Sequence, residues 1–247
     1  MHDYIQSYLD FIDLKDLLKK LKVNGIEDYL EQVKRLSAEA WIKEELLLKY
    51  LKQGGAKMIT DLILESLNIP LSQEIDVLDV GAGTNPLTRE IIDRVKAHLP
   101  NASFFAMNPC PNALKALMSE RRDIIPIVGF LEDIRGSVLY SSQYFALPDK
   151  FDIILLILTL NQAKDIKKAL FSLRESIKDG GRVIVIDLCK PKSEELKGEA
   201  YNERLGYDPA EFQRLAANYF SQILIERTSG DFHKNSSISL FKAVLMP

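Results

Sequence analysis

Residues 75–86, Ile-Asp-Val-Leu-Asp-Val-Gly-Ala-Gly-Thr-Asn-Pro, constrain the fold more than any other stretch. Apart from Asp76 and Asp79, the run from Ile75 to Val80 is apolar and rich in β-branched residues, the composition of a buried parallel strand. Gly81 and Gly83 end it. Pro86 then opens a segment with Leu87, Ile91, Val95 and Leu99 four residues apart, one stripe of a helix. Proline suits a first helical position, and Thr84 or Asn85 can cap it. Strand, glycine turn and helix N-terminus in succession present backbone N–H groups to a ligand that approaches the main chain. In a doubly wound α/β sheet that is the place of a nucleotide-type cofactor.

The remaining elements follow in an order that fits such a sheet. Residues 103–107 read as a second strand, followed by the Asn108-Pro109-Cys110-Pro111-Asn112 turn and a helix beginning with Ala113, Leu114, Leu117 and Met118. Residues 124–128 read as a third strand, and residues 136–150 as a loop carrying Tyr140, Tyr144 and Phe145. Residues 151–158 are apolar on both faces, as a central parallel strand should be. A helical stripe through Ile166, Ala169, Leu170, Leu173 and Ile177 leads to an Asp179-Gly180-Gly181-Arg182 turn and a fifth strand ending at Asp187. Residues 190–208 are charged and long enough to cover a site. A helix from Pro209 to Phe220 and strands over 221–227 and 237–246 close the chain.

Residues 4–51 and 58–67 carry helical stripes, among them Leu14, Leu17, Leu18 and Leu21. The expected organisation is therefore a helical cap over residues 1–68 and an α/β domain over 69–247. Two roles for the cap stay open: a cover that shapes a substrate pocket, or a packing layer, including one through which two copies pair as a homodimer.

Composition narrows the partners. A net charge of −3 over 247 residues argues against general nucleic-acid binding. No apolar run is long enough to span a bilayer, and the Met1-His2-Asp3-Tyr4 start lacks the basic and apolar regions of a signal peptide. With only Cys110 and Cys189, neither a disulfide framework nor a cysteine-rich metal site is expected, and the expected compartment is the reducing cytoplasm.

Val77 to Thr84 resembles the first motif of the class I S-adenosylmethionine (SAM)-dependent methyltransferases, which runs Val-Leu-Asp-Val-Gly-Ala-Gly-Thr-Gly; Asn85 stands at the last glycine. The likeness continues through strand two with Asn-Pro, Phe151-Asp152 with Leu160-Asn161-Gln162 downstream, and the Gly-Gly turn into strand five. It implies a seven-stranded Rossmann-like sheet, mostly parallel, with helices on both faces and an antiparallel terminal hairpin. It also implies SAM as cofactor, held around Asp79, Gly81, Ala82, Gly83 and Asn85. The acid that takes the ribose hydroxyls in that family corresponds to Asn108, beside Pro109. The acid on the adenine corresponds to Phe130, next to Leu131, with Glu132 or Asp133 as substitutes; Leu156 on strand four completes the set. An amide accepts through one oxygen only, and neutral bonds are about half as strong as charged ones, so Asn108 implies a looser grip on the ribose.

Methyl transfer from a sulfonium is an in-line displacement that needs positioning first and a base only if the acceptor must lose a proton. Asp187 and His233 are the candidates for orienting or deprotonating an acceptor, here a small molecule. Their structural alternatives are a loop-entry cap and a solvent-facing loop residue. Two other functions remain open: a methyltransferase-like binding protein that has lost SAM, and an NAD(P)-dependent oxidoreductase.

Overall fold

The computed structural model describes residues 7–10, 12–20, 27, 54–68, 74–83, 86–190, 206–228 and 239–247. Seven strands, β1 (Ile75–Val80), β2 (Ala102–Asn108), β3 (Ile124–Val128), β4 (Phe151–Ile157), β5 (Ile177–Leu188), β6 (Gln222–Arg227) and β7 (Leu240–Met246), form one sheet in the order β3-β2-β1-β4-β5-β7-β6. β1 to β5 pair in parallel, and β7 lies antiparallel between β5 and β6. The strand order turns back between β1 and β4, so the topological switch point lies beside the glycine turn.

Alternation along β1 assigns its two faces. Ile75 and Val77 enter one core with α2 (Ala56–Leu67), α3 (Pro86–His98) and α4 (Pro111–Glu120). Leu78 and Val80 enter the other, with α6 (Ile166–Ser176) and α7 (Pro209–Ala216). The stripe Leu87, Ile91, Val95 and Leu99 is almost wholly buried, as a helix on a sheet requires. The two aspartates of β1 have opposite fates. Asp76, at the strand start, pairs with Lys178 Nζ at 2.9 Å, and the same ammonium reaches Asp152 Oδ2 at 2.7 Å. The Asp152 carboxylate also accepts from the Asp76 N–H at 2.8 Å, so it ties β1, β4 and β5 together away from the glycine turn.

Two local expectations are corrected. Residues 136–141, expected as the start of a loop over 136–150, belong instead to helix α5 (Ile134–Ser141). The Asp133 carboxylate accepts from Gly136 N and caps it, while Ile134 and Val138 are buried one turn apart. Gly136 and Ser137 are poor helix formers, and here tertiary burial overrides propensity. Residues 179–182 are not a turn before β5 but part of it; a register shift against β4 absorbs Asp179 and Gly180, the latter at φ +82°.

The described part of the N-terminal segment meets the edge strand β3 at its carboxyl end. A helical turn at 7–10 and α1 (Leu14–Lys20) pack there, with Tyr8, Leu9, Leu17 and Leu18 all buried. This packs Leu17 and Leu18 inside their own chain. Tyr29, Trp41 and the rest of residues 28–53 lie outside the described residues. Among the described residues no helix is long and apolar enough to cross a membrane.

Candidate functional site

The carboxyl end of β1 supplies the centre of the site. Gly81 sits at φ +86°, a conformation that side chains other than hydrogen disfavour, and its N–H donates to Met107 O at 2.8 Å. A Cβ at Gly81 would lie 2.2 Å from Thr159 Oγ1. The space glycine leaves is therefore filled by the β4 loop of this protein itself. Ala82 is buried, and its carbonyl accepts from Asn108 Nδ2 at 2.8 Å. The Gly83 N–H donates to Thr88 Oγ1 at 3.3 Å, joining the turn to the first turn of α3. Thr84 and Asn85 lie outside the described residues.

Asn108 is a staple between two loops. Its Oδ1 accepts from Cys110 N at 2.8 Å, an Asx turn through Pro109, while its amide nitrogen holds Ala82 O. A carboxylate could make the first contact but not the second, since it has no hydrogen to donate. The half-buried Asn108 keeps one Oδ1 lone pair beyond these bonds.

Asp79 lies on the face shared with Ile75 and Val77, in register with Ala106 and Leu155. It is 4% exposed, and among the described residues no donor reaches its carboxylate. Burial pushes its acid up from 3.8 to about 7, with no opposing hydrogen bond or charge. An unpartnered buried carboxylate just before a glycine turn is suited to a cation.

The other expected residues divide. Phe130 and Leu131 follow β3 and are nearly buried, with the Phe130 N–H donating to Ser137 Oγ at 3.2 Å. Glu132 accepts from Lys164 N at 2.7 Å and Asp133 caps α5, so both carboxylates serve backbone amides. Leu156 is fully buried in the core against α6 and does not reach the rim, because its place on β4 points it to the second face. Asp187 is fully buried, with Oδ2 accepting from Leu160 N and Oδ1 from Leu188 N, each at 2.7 Å. His233 lies outside the described residues. A hollow of about 890 Å³ opens elsewhere, between α5 and α6, and includes Phe130 in its lining.

Sequence reasoning missed the turn after β4. Leu158 is left-handed at φ +54°, its N–H bonded to Ile186 O at 2.8 Å. Thr159 follows over Gly81, and Leu160 is held by Asp187. A left-handed leucine persists only where its surroundings impose it. The one legible signal was Thr159, the first polar residue after the apolar β4 run. Asp187→Asn sets an NH2 group against one of two backbone N–H groups. It is expected to cost about 1–3 kcal/mol and to lower the melting temperature by about 5 °C in a thermal scan.

Compared with known families, the chain matches the one described as "Methyltransferase domain" over residues 26–223. It belongs to that family. Its solved structural neighbours, all under 25% identical, share its seven-stranded fold, and several of them are methyltransferases. The arsenic(III) S-adenosylmethionine methyltransferase of Chlamydomonas reinhardtii is 17% identical with a TM-score of 0.53, covering 72% of this chain and 66% of its own. A Haemonchus contortus phosphoethanolamine N-methyltransferase, solved with phosphomonomethylethanolamine and S-adenosylhomocysteine, is 12% identical with a TM-score of 0.59, covering 96% and 61%. The [4+2]-cyclase SpnF is 14% identical with a TM-score of 0.58, covering 79% and 82%. The chain thus spans less than two thirds of the length of the first two neighbours. No curated protein matches it by sequence.

Proposed function

We propose that this family member is a SAM-dependent methyltransferase with a small-molecule acceptor. The observation that carries the reading is Asp79, a buried carboxylate that no donor among the described residues reaches, at the mouth of the glycine turn. SAM and its product S-adenosylhomocysteine both bear an ammonium group, and a lone carboxylate in a low-dielectric site attracts one strongly. The residues fit the cofactor: Asp79 takes the cationic amino-acid end, the remaining Asn108 lone pair takes a ribose hydroxyl, and Phe130 forms an apolar wall for the purine. Gly81, Ala82 and Gly83 form the floor.

Bound SAM supplies a methyl group already activated by the sulfonium charge. The chain's work is to hold that group in line with the acceptor and keep water away. Asp187 does not serve as a base in this reading, because both its oxygens accept from main-chain amides; it holds the β4 turn over Gly81. The acceptor is of the small-molecule kind that the phosphoethanolamine enzyme's structure contains. A cytoplasmic location completes the proposal.

The cyclase among the neighbours shows that this fold also hosts other reactions. Calorimetric titration with SAM, S-adenosylhomocysteine and NADP separates the readings. Micromolar binding of the first two and none of NADP is expected. NADP binding alone would turn the assignment to an oxidoreductase, and binding of none to a partner protein.

A further inference from the structure

β3 is the edge strand of the sheet, so among the described residues one side of it has no neighbouring strand. At its carboxyl end the Val128 N–H donates to the Tyr8 hydroxyl at 3.1 Å. The same hydroxyl lies 2.9 Å from Ser141 Oγ on α5. Tyr8 is 3% exposed; its ring packs edge-on against Phe145 at 4.8 Å and tilted against Tyr144 at 4.9 Å. Two residues further, Asp10 pairs with Lys115 of α4 at 2.8 Å. The N-terminal helical turn is thus seated between α4 and α5 with its phenol on the last residue of β3.

From that residue a short run of bonds leads to the glycine turn. The Gly129 N–H donates to Asn108 O at 3.2 Å, and Asn108 Nδ2 donates to Ala82 O at 2.8 Å. Phe130, the apolar wall, is two residues from Val128. Holding Val128 therefore holds both the purine wall and the Asn108 staple.

We propose that Tyr8 is a positioning residue for the cofactor site, acting through the Val128 amide, so that seating of the N-terminal turn and cofactor binding favour each other. The inference rests on the SAM-binding reading above. The coupling is reciprocal by thermodynamic necessity: whatever seating adds to cofactor affinity, cofactor adds to seating.

The test compares Tyr8→Phe with Ser141→Ala. The first keeps the ring packing and leaves Val128 without its acceptor; the second removes the other hydroxyl contact and leaves Val128 satisfied. S-adenosylhomocysteine is titrated into each by calorimetry, and hydrogen exchange is followed over residues 7–20 with and without it. The expected result is a Kd raised at least fivefold by Tyr8→Phe and less than twofold by Ser141→Ala. In the wild type the ligand slows exchange over 7–20, and Tyr8→Phe abolishes that slowing. A purely edge-covering tyrosine would lower the melting temperature without moving Kd, and that result overturns the proposal, as do equal Kd increases in the two variants. If the wild type binds S-adenosylhomocysteine with exchange over 7–20 unchanged, this inference alone falls. If it does not bind at all, the cofactor reading falls as well.

Discussion

Replacing Asp79 by asparagine is expected to stabilise the ligand-free protein above pH 7 while weakening S-adenosylhomocysteine binding at least tenfold. Burial pushes the native carboxyl up from 3.8 to about 7, and no donor among the described residues offsets that penalty. Below about pH 4 the carboxyl is protonated in both folded and unfolded chains, and nothing is lost. As pH rises to 7 the unfolded chain releases its proton and the folded one does not, so stability falls. Above 7 the loss is complete and on the order of 4 kcal/mol, since moving a pKa by one pH unit corresponds to about 1.4 kcal/mol. Asparagine removes the titration and that penalty, leaving only an uncharged buried amide. The ligand responds with the opposite sign. A cationic group binds the ionised carboxylate, so the wild-type Kd should rise about tenfold for each pH unit below 7; Asp79→Asn should show no such slope. Urea unfolding at pH 5 and pH 8, with calorimetry at both, reads the two effects. A variant less stable than wild type at pH 8, or one that binds as tightly, would remove Asp79 from the site.

Gly81→Ala should be the most destructive single change in the turn. Two penalties combine. A left-handed alanine costs about 1–2 kcal/mol. Its methyl would also meet Thr159 Oγ1 at 2.2 Å, Cγ2 at 2.5 Å and Cβ at 2.9 Å. Thr159 is buried and its Oγ1 donates to Ile157 O, so it has no free direction in which to move. Overpacking of that kind adds about 1–3 kcal/mol. A loss of about 2–5 kcal/mol, or roughly 10 °C in melting temperature, is expected together with loss of S-adenosylhomocysteine binding. Adding Thr159→Ala removes the two closest atoms but leaves Cβ, so the double variant should recover part of the stability and not all of it. Full recovery would show that φ at Gly81 carries no strain.

The glycine turn, the buried strand before it and the stripe on α3 were legible from the residues alone, because glycine torsions, strand composition and side-chain periodicity are local properties. The succession of strands and helices then carried the likeness to the methyltransferase family, and the seven-stranded order with β7 between β5 and β6 agrees with it. Partnership across the sheet was not legible in the same way. That Asp76 is paired and Asp79 is not depends on Lys178, 102 residues away from Asp76 in the chain. Asn108 stood in the sequence as a weaker ribose ligand; only its contact with Ala82 shows why an amide makes a bond there that an acid cannot. Asp187 had two readings in the sequence, and only the folded chain shows its oxygens on the amides of Leu160 and Leu188. Leu158 carried no signal, since its left-handed backbone is imposed by β5 and the Thr159 contact against intrinsic preference. Sequence by itself therefore determined the kinds of element and their order, whereas the tertiary structure decided which polar groups are satisfied and which carboxylates are buried. The reason is that periodicity is written along the chain, while hydrogen-bond satisfaction and desolvation exist only between segments brought together by folding.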